Sequence, residues 1–208
     1  MFKPVNIFVA GLARGFYAIA QLWDVVLRED FELIKSSMLS DEIRNHDLLR
    51  TVLIVEDKRF FDHKGIDVRA VIRALYNTVF WNHLEGGSTI EQQYVRLVTK
   101  RIEISLKRKM REGVLAAKLS DTFSKLQILN SYLLKYQFTG HVYGMIELAQ
   151  DSGFDIERLN NDQVSILVAR LKYPFAQENN SLYLKRVVLI RQLIEQQEFS
   201  PKKIFATV

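Results

Sequence analysis

The sequence predicts an all-α protein organised as one domain. Three observations carry this expectation. Turn-forming residues are scarce, with 9 glycines and 3 prolines in 208 residues. Apolar residues recur at helical spacing over long stretches. No internal repeat, low-complexity tract or linker interrupts them. The chain is 48% hydrophobic, enough for a sizeable core. It has no cysteine, which excludes disulfides and thiolate catalysis and fits a cytoplasmic or a periplasmic protein equally well.

The helices follow in order. Residues 5–27 are largely apolar but are interrupted by Arg14, Gln21 and Asp24. Arg14, Gln21 and Arg28 share one face, and Phe8, Leu12, Phe16, Ile19 and Trp23 form the opposite stripe. A spanning helix needs roughly 20 nearly uncharged residues. Residues 1–40 therefore read as an amphipathic segment, lying in a membrane interface or packed on the domain, and 41–208 as the domain itself. Apolar Val52 to Val55 lead into Glu56. Asp67 precedes Val68, Val71, Ile72, Leu75 and Val79, one apolar helix face. A loop is expected from Asn82 to Gly87, then a capping box with Ser88 as N-cap and Glu91 reaching back. The helix it opens carries Gln92 to Thr99. A basic helix runs from about Ile104 to Leu119. Ser124 with Gln127 is a second capping box. Asn161 starts a helix that stops near Pro174, and Ser181 opens the last, which ends at Pro201.

The formal charge of +5 points weakly to an anionic partner. Its distribution says more. Eight basic residues lie between Arg96 and Lys118, against Glu103 and Glu112. Nucleic acid, pyrophosphate or anionic lipid would each suit such a stretch, and so would a solvated helix face.

Four clusters carry chemistry. Glu56-Asp57-Lys58-Arg59-Phe60-Phe61-Asp62-His63-Lys64-Gly65 places a carboxylate at the end of an apolar helix segment. Burial disfavours a charged carboxyl and can suit it to proton abstraction; an ordinary solvated helix end is the alternative. Gly86-Gly87-Ser88-Thr89-Ile90-Glu91-Gln92-Gln93 sets glycines before a helix N-terminus, where backbone N–H groups can meet an anion, or simply forms a capped turn. In Arg108-Lys109-Met110-Arg111-Glu112, Arg108 and Glu112 share a helix face. They pair with each other, or with Lys109 they hold a pyrophosphate, directly or through a divalent metal. Lys125-Leu126-Gln127-Ile128-Leu129-Asn130-Ser131-Tyr132-Leu133 is mostly core, with Lys125 as its one ligand candidate.

The order and spacing of these clusters resemble the motif series of the peptidoglycan glycosyltransferase family, the transglycosylase domains of class A penicillin-binding proteins and the monofunctional transglycosylases. The series is Glu-Asp-x-x-Phe-x-x-His-x-Gly, Gly-x-Ser-Thr-x-x-Gln-Gln, Arg-Lys-x-x-Glu and Lys-x-x-Ile-Leu-x-x-Tyr-Leu. The resemblance covers roughly Leu48 to Leu193. It implies a lysozyme-like helical domain with a small, membrane-contacting hydrophobic subdomain. It implies lipid II and the growing glycan strand as partners, with inverting transfer to a β-1,4 glycan and release of undecaprenyl pyrophosphate. By the same resemblance Glu56 is the general base and Glu112 the second catalytic carboxylate, near the pyrophosphate and a Mg2+ or Mn2+ ion. Arg96, Arg108 and Lys109 match phosphate-binding positions, and Ser88, Thr89, Gln92 and Gln93 line the donor side. Asp57, Phe60 and His63 belong to the first motif, and Lys125 to the fourth. The implied location is the periplasmic face of a bacterial inner membrane, with cell-wall synthesis proteins as further partners. About 150 residues follow Glu56, nearly all used by the family domain, so a monofunctional enzyme without an organic cofactor is expected. Nucleic acid is not an expected partner, because it gives the Glu56 and Ser88 motifs no role.

The chain departs from the family pattern in its fourth motif and just after it. Asn130 stands where a Glu is usual, and Leu134 where an Asn is. Gln137-Phe138-Thr139 and His141 replace a Tyr-Phe-Gly segment and a later Gly, whereas Tyr143-Gly144 is retained. Lys185-Arg186 with Val188-Leu189 loosely match the last motif. These departures support an alternative, a catalytically weak relative that binds lipid-linked glycan or a cell-wall synthase without polymerising.

Overall fold

A computed structural model of the chain describes residues 24–81, 86–138, 141–175, 177 and 179–198. Most of the predicted amphipathic segment, residues 1–23, lies outside them, as do 82–85 of the predicted loop and Thr139. The described residues form α1 (24–37), α2 (His46–Glu56), α3 (Val68–Trp81), α4 (Ile90–Thr99), α5 (Leu106–Thr122), α6 (Lys125–Lys135), α7 (Met145–Asp151), α8 (Asn161–Ala169) and α9 (Ser181–Glu198), with two short 3₁₀ turns. Among them the only extended pairing is an isolated antiparallel bridge, Gln137 with Tyr143. The all-α expectation holds.

One core joins these helices. Leu48 and Val52 of α2, Ile90 and Tyr94 of α4, Leu115 and Leu119 of α5, and Ile128 and Tyr132 of α6 are buried at i, i+4 spacing. Val164 and Val168 of α8 repeat the pattern. Each such aliphatic side chain contributes about 1.5–3 kcal/mol by leaving water. Helix α4 packs between α5 and α6, while α2 leans on α8 and α9. Helix α1 joins the same core through Phe31 and Ile34 and is held further by two charged contacts. Asp30 accepts a hydrogen bond from Arg111 Nε at 2.6 Å, and the Lys118 ammonium lies 4.2 Å from the Phe31 ring centre.

Local caps explain most boundaries. Asn45 accepts from Leu48 N, and the Ser124–Gln127 box forms as expected. The basic helix starts two residues later than predicted, because the Ser105 hydroxyl accepts from Arg108 N. At α4 the box is shifted by one residue. Thr89, not Ser88, is the N-cap, and its partner is Gln92 rather than Glu91. The Thr89 hydroxyl donates to Gly65 O at 2.7 Å, a tie that Ser88 does not make. The shift turns Glu91 into the interior.

Gly65 shows how tightly the segment after α2 is laid against α5. Its φ is +81°, and a Cβ there would lie 2.3 Å from Ala116 O. Both the left-handed backbone and the clash penalise any side chain. Gly65→Ala is expected to lose about 3 kcal/mol or more in denaturant unfolding. A loss below about 1 kcal/mol would contradict this close approach.

Helix α3 forms over the predicted span, but much of its apolar surface meets solvent. Val68, Ile72, Tyr76 and Phe80 recur every fourth residue and are each more than half exposed. Ile102, Ile104, Leu106 and Met110 are exposed as well. Among the described residues no helix is long and apolar enough to cross a membrane.

Candidate active site

The site hangs on α4. Glu112, on α5, is buried and faces Arg96 of α4 across a two-pronged ion pair, with Nε to Oε1 at 2.8 Å and Nη2 to Oε2 at 3.1 Å. Arg108, one turn earlier on α5, also hydrogen-bonds Oε1. The Lys109 ammonium lies 3.9 Å from Oε2 and donates to Ser88 Oγ at 2.8 Å and to Gln92 Oε1 at 3.1 Å. Six sequence-predicted residues, Ser88, Gln92, Arg96, Arg108, Lys109 and Glu112, therefore meet in one cluster. The predicted i, i+4 pairing of Arg108 with Glu112 is real, and it is one arm of a larger cage.

The cage sets its own electrostatics. Burial alone would raise the Glu112 carboxyl, but the hydrogen bonds and charge of Arg96, joined by Arg108 and Lys109, hold it below the usual carboxylate range. Its hydrogen bonds to Glu112 push Arg96 up. Burial draws Lys109 down, and the neighbouring arginines reinforce this against the pull of Glu112. Three cations share one carboxylate, so the cluster keeps a positive excess suited to an anion with several oxygens.

Glu56 closes α2 and is largely shielded, with a side-chain exposure of 14%. Its Oε1 accepts a hydrogen bond from Arg186 Nη2 of α9 at 2.9 Å. Both phenols, Tyr132 and Tyr136, feel the Glu56 charge, which raises them, and the Arg96 charge, which lowers them. Burial followed by the Glu56 charge pushes Tyr136 up to about 12, and burial pushes Tyr132 well above its ordinary value. Tyr132 donates to Gln93 Oε1 at 2.9 Å, and Tyr136 donates to Leu171 O at 2.7 Å. A groove of about 970 Å³ opens beside them, lined by Gln93, Arg96, Lys100, Leu134, Lys135 and Tyr136 among others.

Asp57, Phe60, His63 and Lys125 gather with Glu91 in a second cluster. Asp57 accepts from Ile90 N and contacts His63 Nε2, each at 3.1 Å. On the other side of the imidazole, His63 Nδ1 lies 4.0 Å from Glu91 Oε1. Lys125 hydrogen-bonds the same Glu91 oxygen, and its ammonium sits 4.4 Å from the centre of the buried Phe60 ring. Burial raises the Glu91 carboxyl, against the opposing pull of Lys125. Lys125, expected as a ligand contact, thus has an internal carboxylate partner. Sequence reasoning did not single out Arg186 or the interior role of Glu91. Arg186 lies 130 residues from Glu56 in sequence, and the one signal for it was the loose last motif.

Two places bear on a metal ion. Around Glu112 the residues do not fit one, since three cationic groups already surround that carboxylate. Asp57, His63 and Glu91 do bring ligand atoms within 4.8 Å of one another, a set able to hold an ion. The Lys125 ammonium already serves as the cation for Glu91 in that cluster.

Comparison with known proteins supplies the context. Residues 27–194 match the family described as Transglycosylase. The chain is 33% identical over 132 residues to penicillin-binding protein 1A of Streptococcus pneumoniae, covering 62% of this chain and 18% of that protein. It is 29% identical over 200 residues to penicillin-binding protein 1A of Clostridium tetani, covering 89% of this chain and 25% of the relative. It is 28% identical over 176 residues to the monofunctional glycosyltransferase of Staphylococcus epidermidis, covering 79% and 65%. The chain therefore spans only about a fifth to a quarter of these penicillin-binding relatives, and under two thirds of the monofunctional one.

Proposed function

Since the chain belongs to the transglycosylase family, we propose that it polymerises lipid II into β-1,4-linked glycan and releases undecaprenyl pyrophosphate. Glu56 takes the proton of the acceptor 4-hydroxyl as that oxygen forms its bond to the donor anomeric carbon. The bond from that carbon to the pyrophosphate oxygen breaks, and attack from the opposite face inverts the configuration. The leaving group departs as an anion, so its stabilisation calls for fixed positive charge more than for a strong acid. Arg96, Arg108 and Lys109 supply that charge, with Glu112 holding them in register and Ser88, Thr89, Gln92 and Gln93 on the donor side. The Glu112 surroundings are already cationic, so stabilisation of the leaving anion falls to these side chains rather than to Mg2+ or Mn2+.

The observation that carries this reading is the cage of three cations on Glu112, beside which stands a shielded carboxylate, Glu56, at the end of α2. The exposed row Val68, Ile72, Tyr76 and Phe80 supports contact with the membrane that carries the lipid substrate, at the periplasmic face. Growing glycan, and other cell-wall synthesis proteins, are the partners this reading implies.

Two observations favour a second reading, a relative that binds lipid-linked glycan or a cell-wall synthase without polymerising. Arg186 already pairs with the proposed base, and Leu134 lines the groove where the family pattern has Asn. Incubation of the purified chain with lipid II separates the two. Glycan polymer supports the enzyme, and saturable binding with no polymer supports the second reading. Neither binding nor polymer sinks the enzyme and the glycan-binding reading alike.

A further inference from the structure

The cluster around His63 contains a buried carboxylate to which the proposed chemistry gives no role. Glu91 has no exposed side-chain surface, and its Oε2 makes no hydrogen bond. His63 Nδ1 is likewise buried without a hydrogen-bond partner. An apolar residue of similar volume would avoid this desolvation cost, so the stability of the core does not explain the group. Its position does. Glu91 is where three separate parts of the site converge. It lies beside His63 in the segment that follows Glu56, on the helix that carries Gln92, Gln93 and Arg96, and against Lys125 at the start of α6.

We infer that Glu91 is a positioning residue for transglycosylation, acting with Lys125 to hold α4 and the segment after Glu56 in one fixed relation. The ion pair anchors one end of α4 to α6. On its other side, the Glu91 charge faces the imidazole whose Nε2 contacts Asp57. Asp57 in turn accepts from Ile90 N and is covalently next to Glu56. Two further bonds close the same unit, Thr89 Oγ1 to Gly65 O at 2.7 Å and Tyr132 to Gln93 Oε1 at 2.9 Å. Without the Glu91 charge, the partly shielded Lys125 ammonium loses its ion-pair partner, and α4 is no longer drawn against both neighbours. The Arg96–Glu112 cage would then shift relative to Glu56. A misplacement of about 1 Å between reacting groups lowers a rate by up to about a hundredfold.

This inference rests on the proposed function, and its test keeps the two apart. Polymerisation of lipid II by the full chain is followed at several substrate concentrations for the parent, Glu91→Gln, Lys125→Met and the double variant. Glu91→Gln is expected to lower kcat about tenfold with KM changed by less than about twofold, because ground-state binding of lipid II stays outside the cluster. Lys125→Met is expected to do the same. The double variant should fall no further than either single one, since both break one device. Circular dichroism and melting temperature establish that each variant is folded. A parent that makes no polymer overturns the functional proposal itself. A polymerising parent whose folded Glu91→Gln variant retains its kcat overturns only the positioning role. Additive losses in the double variant overturn the coupling. Stoichiometric Mg2+ or Mn2+ held by the parent and lost in Glu91→Gln also overturns it, by making the cluster a metal site.

Discussion

Glu56→Gln is expected to reduce polymer formation from lipid II by about a hundredfold to ten-thousandfold, the usual span for removing a general base. The substitution keeps the size of the side chain and leaves a carbonyl oxygen that can still accept from Arg186. It removes only the ability to take a proton. Lipid II affinity and melting temperature should therefore change little, because the cation cage and the core are untouched. Rates by product analysis and affinity by direct binding would be compared for the two proteins. If the variant keeps more than about a tenth of parental activity, the proton goes elsewhere and the proposed mechanism fails.

Glu112→Gln should damage both stability and rate. The carboxylate is enclosed while its three cationic partners are only partly shielded, and Arg96 retains 35% side-chain exposure. Removing the acid leaves those cations to repel one another. The expected loss at neutral pH is about 2–3 kcal/mol, below the usual 3–5 for a fully buried pair because solvent screens Arg96. The sign of the pH effect follows from the lowered carboxyl. The folded value lies below the ordinary 4.5, so the stabilisation is complete above the unfolded value and is lost as pH falls through the folded one. The stability gap between parent and variant should therefore narrow as pH falls below the ordinary 4.5. Glu91 shifts the opposite way in both proteins and drops out of the difference. A gap that stays constant over this range would mean that the cage does not hold Glu112 ionised.

Most helices were legible because their signals are local. The apolar face of α2, the Ser124–Gln127 box and the opening of α8 need only neighbours within a turn or two. The α4 cap was misread for a physical reason. Ser88 and Thr89 can both cap, Glu91 and Gln92 can both reach back, and the choice falls to Gly65 O, 24 residues away. The cation cage was half legible. Arg108 with Glu112 follows from helical spacing, whereas Arg96 reaches Glu112 only because α4 and α5 lie side by side. The pairing of Arg186 with Glu56 joins opposite parts of the chain and has no local signature. Solvent exposure of the α3 row is equally silent in the sequence, since periodicity marks an apolar face and does not say what covers it. Asn130, a departure in the fourth motif, is absorbed within the core, where its Oδ1 accepts from Ile43 N at 3.0 Å.

Helix α4 is only ten residues long, yet it is tied to the segment after α2, to α5 and to α6. Its amides can meet solvent deuterium only when several of these attachments release together, so they belong with the slowest-exchanging protons of the protein rather than with a helix of that length in isolation. Local fraying then offers no route to reshape the floor of the groove. Any change in groove width must come from the rims, while the charged centre keeps its dimensions.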